Sequence, residues 1–252
     1  MTIPEGKKVY FSSDNHLGAP TQEESRPREI RFVKWLDEIK QDAAAIFLLG
    51  DLFDFWFEYK HAVPKGFVRV LGKLAEIKDS GIPIYFFVGN HDLWMESYFE
   101  DELNIPVFHK PKEFEFNNKT FLVAHGDGLG PGDHGYKRMK KVFTNPFSRW
   151  LYRWLHPDLG IPLAQYFSVK NKAISGDQEQ KFLGEEKEWL IQYCRRKLEE
   201  KHYDYFLFGH RHLPLEIDLN GKSSYINTGD WIDFYTYAVF DGEKTVLKKL
   251  EF

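Results

Sequence analysis

Apolar and polar positions divide the chain into two stretches of different rhythm. In the first, short apolar runs alternate with amphipathic ones. Lys7 to Ser12 reads as a strand that stops at Ser13-Asp14-Asn15-His16. Ile30, Phe32, Val33, Leu36 and Ile39 recur at helical spacing and predict a helix over Glu29 to Ile39. Ala45 to Leu49 is a short buried strand that runs into Gly50-Asp51. A second helix is predicted over Phe67 to Asp79, stopped at Ser80-Gly81. Ile82 to Val88 is a further buried strand, ending in Gly89-Asn90-His91-Asp92. This alternation of strand and helix implies a largely parallel sheet covered by helices.

The second stretch changes style. Phe114 to Phe116 and Thr120 to Ala124 flank Asn117-Asn118 as a hairpin that runs into His125-Gly126-Asp127. Residues 134–203 read as mostly helical. Tyr205 to Phe208 is a strand ending in Gly209-His210-Arg211-His212. Leu215 to Leu219 and Ser223 to Ile226 form a hairpin around Asn220-Gly221, and strands near 235–240 and 245–250 flank Asp241-Gly242. The pattern predicts a mixed α/β core of two packed sheets, one domain over residues 1–252 with a helical insertion at 131–175.

Composition narrows the class. A chain of 252 residues, 42% hydrophobic and 29% charged, is long and apolar enough to fold around its own core and is not a disordered chain. The formal charge of −4 excludes a general nucleic-acid coat. Cys194 is the only cysteine, so no internal disulfide forms and a reducing compartment is expected. The first residues carry no secretory pattern, and the longest apolar runs are too short to span a bilayer.

Candidate chemistry gathers where the buried strands end, which is where open α/β sheets bind ligands. Asp14 and His16 stand two apart on what reads as an extended segment, so both should point to one face. Asp51, then Asn90 and His91, then His125 each follow a strand, and His210 and His212 are again two apart. Half of the ten histidines lie in these clusters, whereas His61, His109, His156 and His202 read as ordinary surface or core residues. Carboxylates, one amide oxygen and imidazoles without a thiolate suit Mn²⁺, Fe²⁺ or Zn²⁺. Seven ligands are too many for one tetrahedral ion and suit two ions about 3.5–4 Å apart, with Asp51 the natural bridging carboxylate. Two such cations lower the pKa of a bridging water toward neutrality and neutralise phosphoryl charge during in-line attack on phosphorus.

The series Asp14-x-His16, Gly50-Asp51, Gly89-Asn90-His91-Asp92, His125 and Gly209-His210-x-His212 resembles the calcineurin-like metallophosphoesterase superfamily, with all five blocks in order. The resemblance implies a four-layer αββα sandwich and a dinuclear site. One ion would be held by Asp14, His16, Asp51 and His212, the other by Asp51, Asn90, His125 and His210. His91 would stand behind the ligands, paired with Asp92, and stabilise the transition state or protonate the leaving oxygen. An orienting role that only buttresses Asn90 is the other reading of His91.

The insertion bears on the substrate. From His134 to Pro157 there is no acidic residue, while Lys137, Arg138, Lys140, Lys141, Arg149 and Arg153 are interleaved with Tyr136, Phe143, Phe147, Trp150, Tyr152 and Trp154. We read this segment as a membrane interface for anionic lipid. A groove for single-stranded nucleic acid, or a helical hairpin with its aromatics packed inward, are the other arrangements it allows. Ser13-Asp14-x-His16-Leu17, Gly50-Asp51-Leu52-Phe53-Asp54 and His125-Gly126-Asp127-Gly128-Leu129 with Asp133 and Gly135-Tyr136 are similar to the UDP-2,3-diacylglucosamine diphosphatases of lipid A synthesis. That likeness implies hydrolysis of a nucleotide-linked lipid to lipid X and UMP, Mn²⁺ as the metal, and a cap that shelters acyl chains. It also implies a place on the cytoplasmic face of the inner membrane of a Gram-negative-type bacterium, with no nucleic acid and no obligate protein partner. Asp133, Lys170, Asn171 and Lys172 fall where that family contacts substrate, as do Asn90, His91 and His210. In its best-known branch an arginine follows the Gly-Asn pair; here His91 does, and an imidazole cannot grip a pyrophosphate bidentately. A soluble phosphoesterase acting on another nucleotide, phosphodiester or phosphomonoester is therefore the alternative.

Overall fold

Alternation along each buried strand sends successive residues into different cores. The computed structural model describes residues 1–132, 134–179, 181–182 and 184–251, with the backbone alone over 169–179. In one sheet β1 (Lys8–Ser12), β2 (Ala43–Leu48), β3 (Ile84–Phe87) and β4 (Val107–Phe108) run parallel. Its other edge is built antiparallel by β10 (Thr236–Phe240) and β11 (Thr245–Lys249), giving the order β11-β10-β1-β2-β3-β4. The second sheet has the order β5-β6-β7-β9-β8, from β5 (Lys112–Phe116), β6 (Lys119–Val123), β7 (Tyr205–Phe208), β9 (Ser224–Thr228) and β8 (Pro214–Asp218).

On β2, Ala45 and Phe47 face the gap between the sheets and meet Phe121, Val123, Leu207 and Ile226. Ile46 and Leu48 face the other way, against Phe32, Trp35 and Leu36 of α1 (Gln22–Ile39) and Leu74 and Ile77 of α2 (Val68–Asp79). On the second sheet Phe206 and Phe208 turn outward onto Ile191 and Cys194 of α7 (Trp189–Glu200). The layers are therefore helix, sheet, sheet, helix, the αββα arrangement expected from the motifs.

Local details depart from the pattern for physical reasons. Helix α1 begins seven residues before the predicted start at Glu29, because the stretch from Gln22 to Arg28 has no apolar residue to reveal it. Its start is set by a cap instead: Thr21 Oγ1 accepts from the Glu24 amide at 3.2 Å and donates to Glu24 Oε2 at 2.7 Å. Helix α3 (Tyr98–Leu103) and strand β4 are too short to show a period. Asn117 and Asn118 both take positive φ, 48° and 64°, and close the β5–β6 hairpin as their sequence predicts.

Between β6 and α7 the chain forms α4 (His134–Phe143), α5 (Pro146–Arg153) and α6 (Pro157–Glu179). Side chains dock these helices on the core. Tyr152 packs on Phe57 and Trp94, at ring-centroid distances of 4.6 and 4.9 Å. The Trp94 indole donates to the Phe143 carbonyl at 2.7 Å, and Arg149 and Arg153 both reach Glu96, at 3.0 and 3.1 Å. The outward side leaves Phe147, Trp150, Trp154 and Leu159 exposed, so the aromatics are not all packed inward.

Candidate metal centre

Asp14, His16, Asp51, His210 and His212 all have left-handed backbones, with φ between 44° and 71°. The extended reading of the Asp14–His16 segment is thus corrected. Beyond β1 the loop runs alongside the one after β2, with the Asp14 amide donating to the Gly50 carbonyl at 3.0 Å and His16 to the Asp51 carbonyl at 2.9 Å. Left-handed turns within it, not strand alternation, aim both side chains inward. Five residues in a sparsely populated conformation at one spot are themselves a mark of a functional site.

All seven expected ligands come together. His16 Nε2 lies 3.0 Å from His212 Nε2, and Asp14 Oδ1 lies 3.3 Å from His212 Nε2. Asp51 Oδ2 is 3.6 Å from His16 Nε2 and 3.4 Å from His125 Nε2. Asn90 Oδ1 is 3.1 Å from His125 Nε2 and 3.0 Å from His210 Nδ1. Two donor groups therefore meet at a single oxygen, Asp51 Oδ2. Two ligands about 2.1 Å from one ion and at right angles around it stand about 3.0 Å apart, so the two apposed imidazoles fit a shared cation. Asp14 Oδ1 is buried and has no hydrogen-bond donor among the described residues, a second sign that this donor set suits a metal.

Further groups hold these side chains in place. The His125 Nδ1–H donates to the Leu49 carbonyl at 2.7 Å. Asp230 Oδ2 lies 3.3 Å from His212 Nδ1 and Asp54 Oδ1 lies 3.2 Å from His16 Nδ1, close charge contacts and not aligned hydrogen bonds. Asp51 Oδ1 accepts from the His91 amide at 2.8 Å, which leaves Oδ2 to the two donor groups. Gly89 is required here: a Cβ on it would fall 2.1 Å from Asp51 Oδ1.

His91 and Asp92 do not pair as expected. Asp92 is fully buried, and its two oxygens accept from the amides of Gly89 at 2.7 Å and Leu52 at 3.0 Å. Facing backwards into the loops, it ties them together and does not reach substrate. His91 Nδ1 instead donates to the Asp54 carbonyl at 3.1 Å.

A cavity of about 590 Å³ opens from this cluster. Asp51, Asn90, His91, His210 and His212 line one part; Phe55, Leu93, Trp94, Phe143, Leu163 and Phe167 line another. Residues 7–214 match the family model described as calcineurin-like phosphoesterase.

The chain belongs to the calcineurin-like phosphoesterase family.

Members of that family are dimetal enzymes, and this phosphoesterase carries residues that could hold such ions. A curated relative from Porphyromonas gingivalis, named UDP-2,3-diacylglucosamine hydrolase, is 38% identical over 97% of this chain and 98% of its own length. One of the same name from Actinobacillus succinogenes is 26% identical over 89% of this chain and 92% of its own. The crystal structure of a dimetal phosphatase from Danio rerio superposes with a TM-score of 0.48 at 13% identity, covering 97% of this chain and 96% of that one.

Carboxylates and imidazoles in the phosphoesterase site hold one another in their charged forms. Burial alone would raise the Asp14 and Asp51 carboxyls. The imidazoles override it, His212 and His16 at Asp14 and His125 and His91 at Asp51, and hold both carboxyls well below the usual range. Burial likewise works against protonation of His125 and His212, but Asp51 and Asp14 respectively push them up to about 10. His210 is lowered, by burial and by His125. Asp92 is pushed up to about 7 by burial and then by the Asp51 charge.

Of the remaining sequence candidates, Asp133 lies outside the described residues, and so do the side chains of Lys170, Asn171 and Lys172, whose backbone belongs to α6. His61, His109, His156 and His202 are all exposed; His109 lines a shallow depression that also reaches His125 but is not among the clustered donors. Asp54 and Asp230 were missed. Each carries a usable signal: Asp54 stands three residues after Asp51, and Asp230 follows Gly229 just past a strand end.

Proposed function

We propose that this phosphoesterase hydrolyses the pyrophosphate bond of UDP-2,3-diacylglucosamine to UMP and lipid X. The observation that carries the reading is the cavity, which joins a phosphoryl-type metal cluster to an apolar enclosure of cap and core side chains. The names of the relatives support it. Asp14, His16, Asp51 and His212 would hold one divalent ion, and Asp51, Asn90, His125 and His210 the other. Mn²⁺ suits this oxygen and imidazole set, with Fe²⁺ and Zn²⁺ as competitors. When bound, the ions supply a nucleophile at neutral pH and neutralise phosphoryl charge. The chain does the rest. Its Asp54 carbonyl fixes the proton on His91 Nδ1, so Nε2 is the ring nitrogen left for the leaving oxygen. Asn90 and His210 face the phosphoryl group, and Asp133, Lys170, Asn171 and Lys172 are assigned to the substrate's polar parts. The apolar lining excludes water around the acyl chains.

Product analysis tests this. With Mn²⁺ and ¹⁸O-water, UMP carrying the label and lipid X are expected, with turnover lost to a chelator. Chelator-sensitive cleavage of a small phosphodiester without UMP release from the lipid would favour the alternative, a phosphoesterase with a smaller substrate, for which His91 in place of arginine speaks.

Membrane association belongs to the same proposal. No described helix is long and apolar enough to cross a bilayer. The exposed Phe147, Trp150 and Trp154, at 64, 52 and 75% of full exposure, suit shallow insertion at the cytoplasmic face of the inner membrane. Basic residues contribute less than their number suggests, because Lys140 pairs with Asp127 and both arginines of α5 pair with Glu96. Replacing the three aromatics by serine is expected to release the protein from vesicles of anionic phospholipid in a flotation assay. Retention at the wild-type level would overturn the insertion.

A further inference from the structure

We infer that Ser168, on the cap helix α6, is a positioning residue for His91, so that the cap completes the catalytic apparatus as well as covering substrate. The inference rests on the placing of His91 beside the leaving oxygen proposed above. Ser168 Oγ lies 2.9 Å from His91 Nδ1 and donates to Asp54 Oδ2 at 2.8 Å. The Asp54 carbonyl only accepts, so the proton on His91 Nδ1 is shared between that carbonyl and the serine oxygen. The hydroxyl hydrogen then passes to the carboxylate, and a chain runs from imidazole to hydroxyl to carboxylate. The other oxygen of that carboxylate faces His16, at 3.2 Å. One hydroxyl from a helix remote in sequence thus touches both the histidine and the carboxylate that faces a candidate ligand.

The surroundings of Ser168 give the contact its meaning. Leu163, Ala164 and Phe167 line the apolar part of the cavity from α6, and Ser168 is the polar residue next along that face. A substrate chain that packs on the first three seats the helix that carries the fourth. Binding energy gathered away from phosphorus is thereby connected to the orientation of His91, which is how remote contacts raise turnover rather than affinity alone.

The test compares Ser168→Ala and Ser168→Thr on two substrates, the diacylglucosamine nucleotide and diphenyl phosphate, a diester whose phenolate gains from protonation as it leaves, with Mn²⁺ per chain measured for each protein. Ser168→Ala is expected to lower kcat by about 10–100-fold on whichever substrate is turned over, the range lost when an orienting partner is removed. KM and metal content should stay unchanged, and Ser168→Thr, which keeps the hydroxyl, should recover most of kcat. A rise in KM for the lipid alone would overturn the inference in favour of a substrate contact; unchanged kcat would overturn it outright. A readout free of turnover is the ¹⁵N spectrum of the zinc-loaded protein. His91 should carry its proton on Nδ1 in both proteins, because the Asp54 carbonyl remains, but the Nδ1 resonance should shift in Ser168→Ala as the contact with the serine oxygen is lost. An unmoved Nδ1 resonance would also overturn it. Failure of the lipid to react, with the diester and ¹⁵N results as expected, would sink the substrate assignment and leave the role of Ser168 standing.

Discussion

Replacing Asp51 by asparagine is expected to cut turnover by at least about 10³-fold, the upper part of the range lost when one preorganised electrostatic contact is removed. The effect should be that large because a single oxygen serves both donor groups, at 3.6 Å from His16 Nε2 and 3.4 Å from His125 Nε2. Asparagine keeps the size and one oxygen but removes the negative charge that two neighbouring cations need between them. It also presents an amide hydrogen where one of those oxygens stood. Metal content should fall from two ions per chain to one or fewer, measured by elemental analysis after desalting, while the far-ultraviolet circular dichroism stays that of the wild type. Retention of two ions and of turnover within tenfold would show that the two donor groups do not share this carboxylate.

A second large effect is expected in the layer between the sheets. Phe47 is fully buried and packs against Phe11, Tyr85 and Phe114 at centroid distances of 5.0, 4.6 and 4.8 Å. Its ring fills the space between two sheets that cannot close up without breaking their own ladders. Phe47→Ala should therefore cost about 3–5 kcal/mol of stability, the range for a buried phenylalanine whose site does not collapse. Urea unfolding followed by tryptophan fluorescence measures it. A loss below about 1 kcal/mol would mean that the aromatic layer repacks freely.

The sequence shows the positions of the site more clearly than its conformation. Every expected ligand stands at a strand end, because buried strands in this topology deliver their last residues to one edge and polar residues there have few structural reasons to exist. Alternation made the strands legible, since Phe47 and Leu48 part toward different cores. It misled at Asp14 and His16, where the period of a strand was carried past the strand's end into left-handed turns. Asp54 and Asp230 stayed hidden because a lone aspartate after a turn reads as a cap, and only the fold brings each one behind an imidazole. The same holds for the docking of α5. Arg149 and Arg153 read as solvated charges until the fold places Glu96 beside them, more than fifty residues away in the chain.

The left-handed ligands have a consequence for how variants of this protein are judged. A residue with a side chain held at such a φ costs about 1–3 kcal/mol. Glycine adopts that φ freely and loses only about 0.5–1 kcal/mol through the extra freedom of the unfolded chain. At Asp14, His16, Asp51, His210 and His212 the backbone conformation by itself favours glycine, while the buried contacts of these side chains and the chemistry both forbid it. Backbone strain at these five positions is thus a cost the site retains for activity. A library ranked by survival of heating alone would therefore not report on catalysis at these positions.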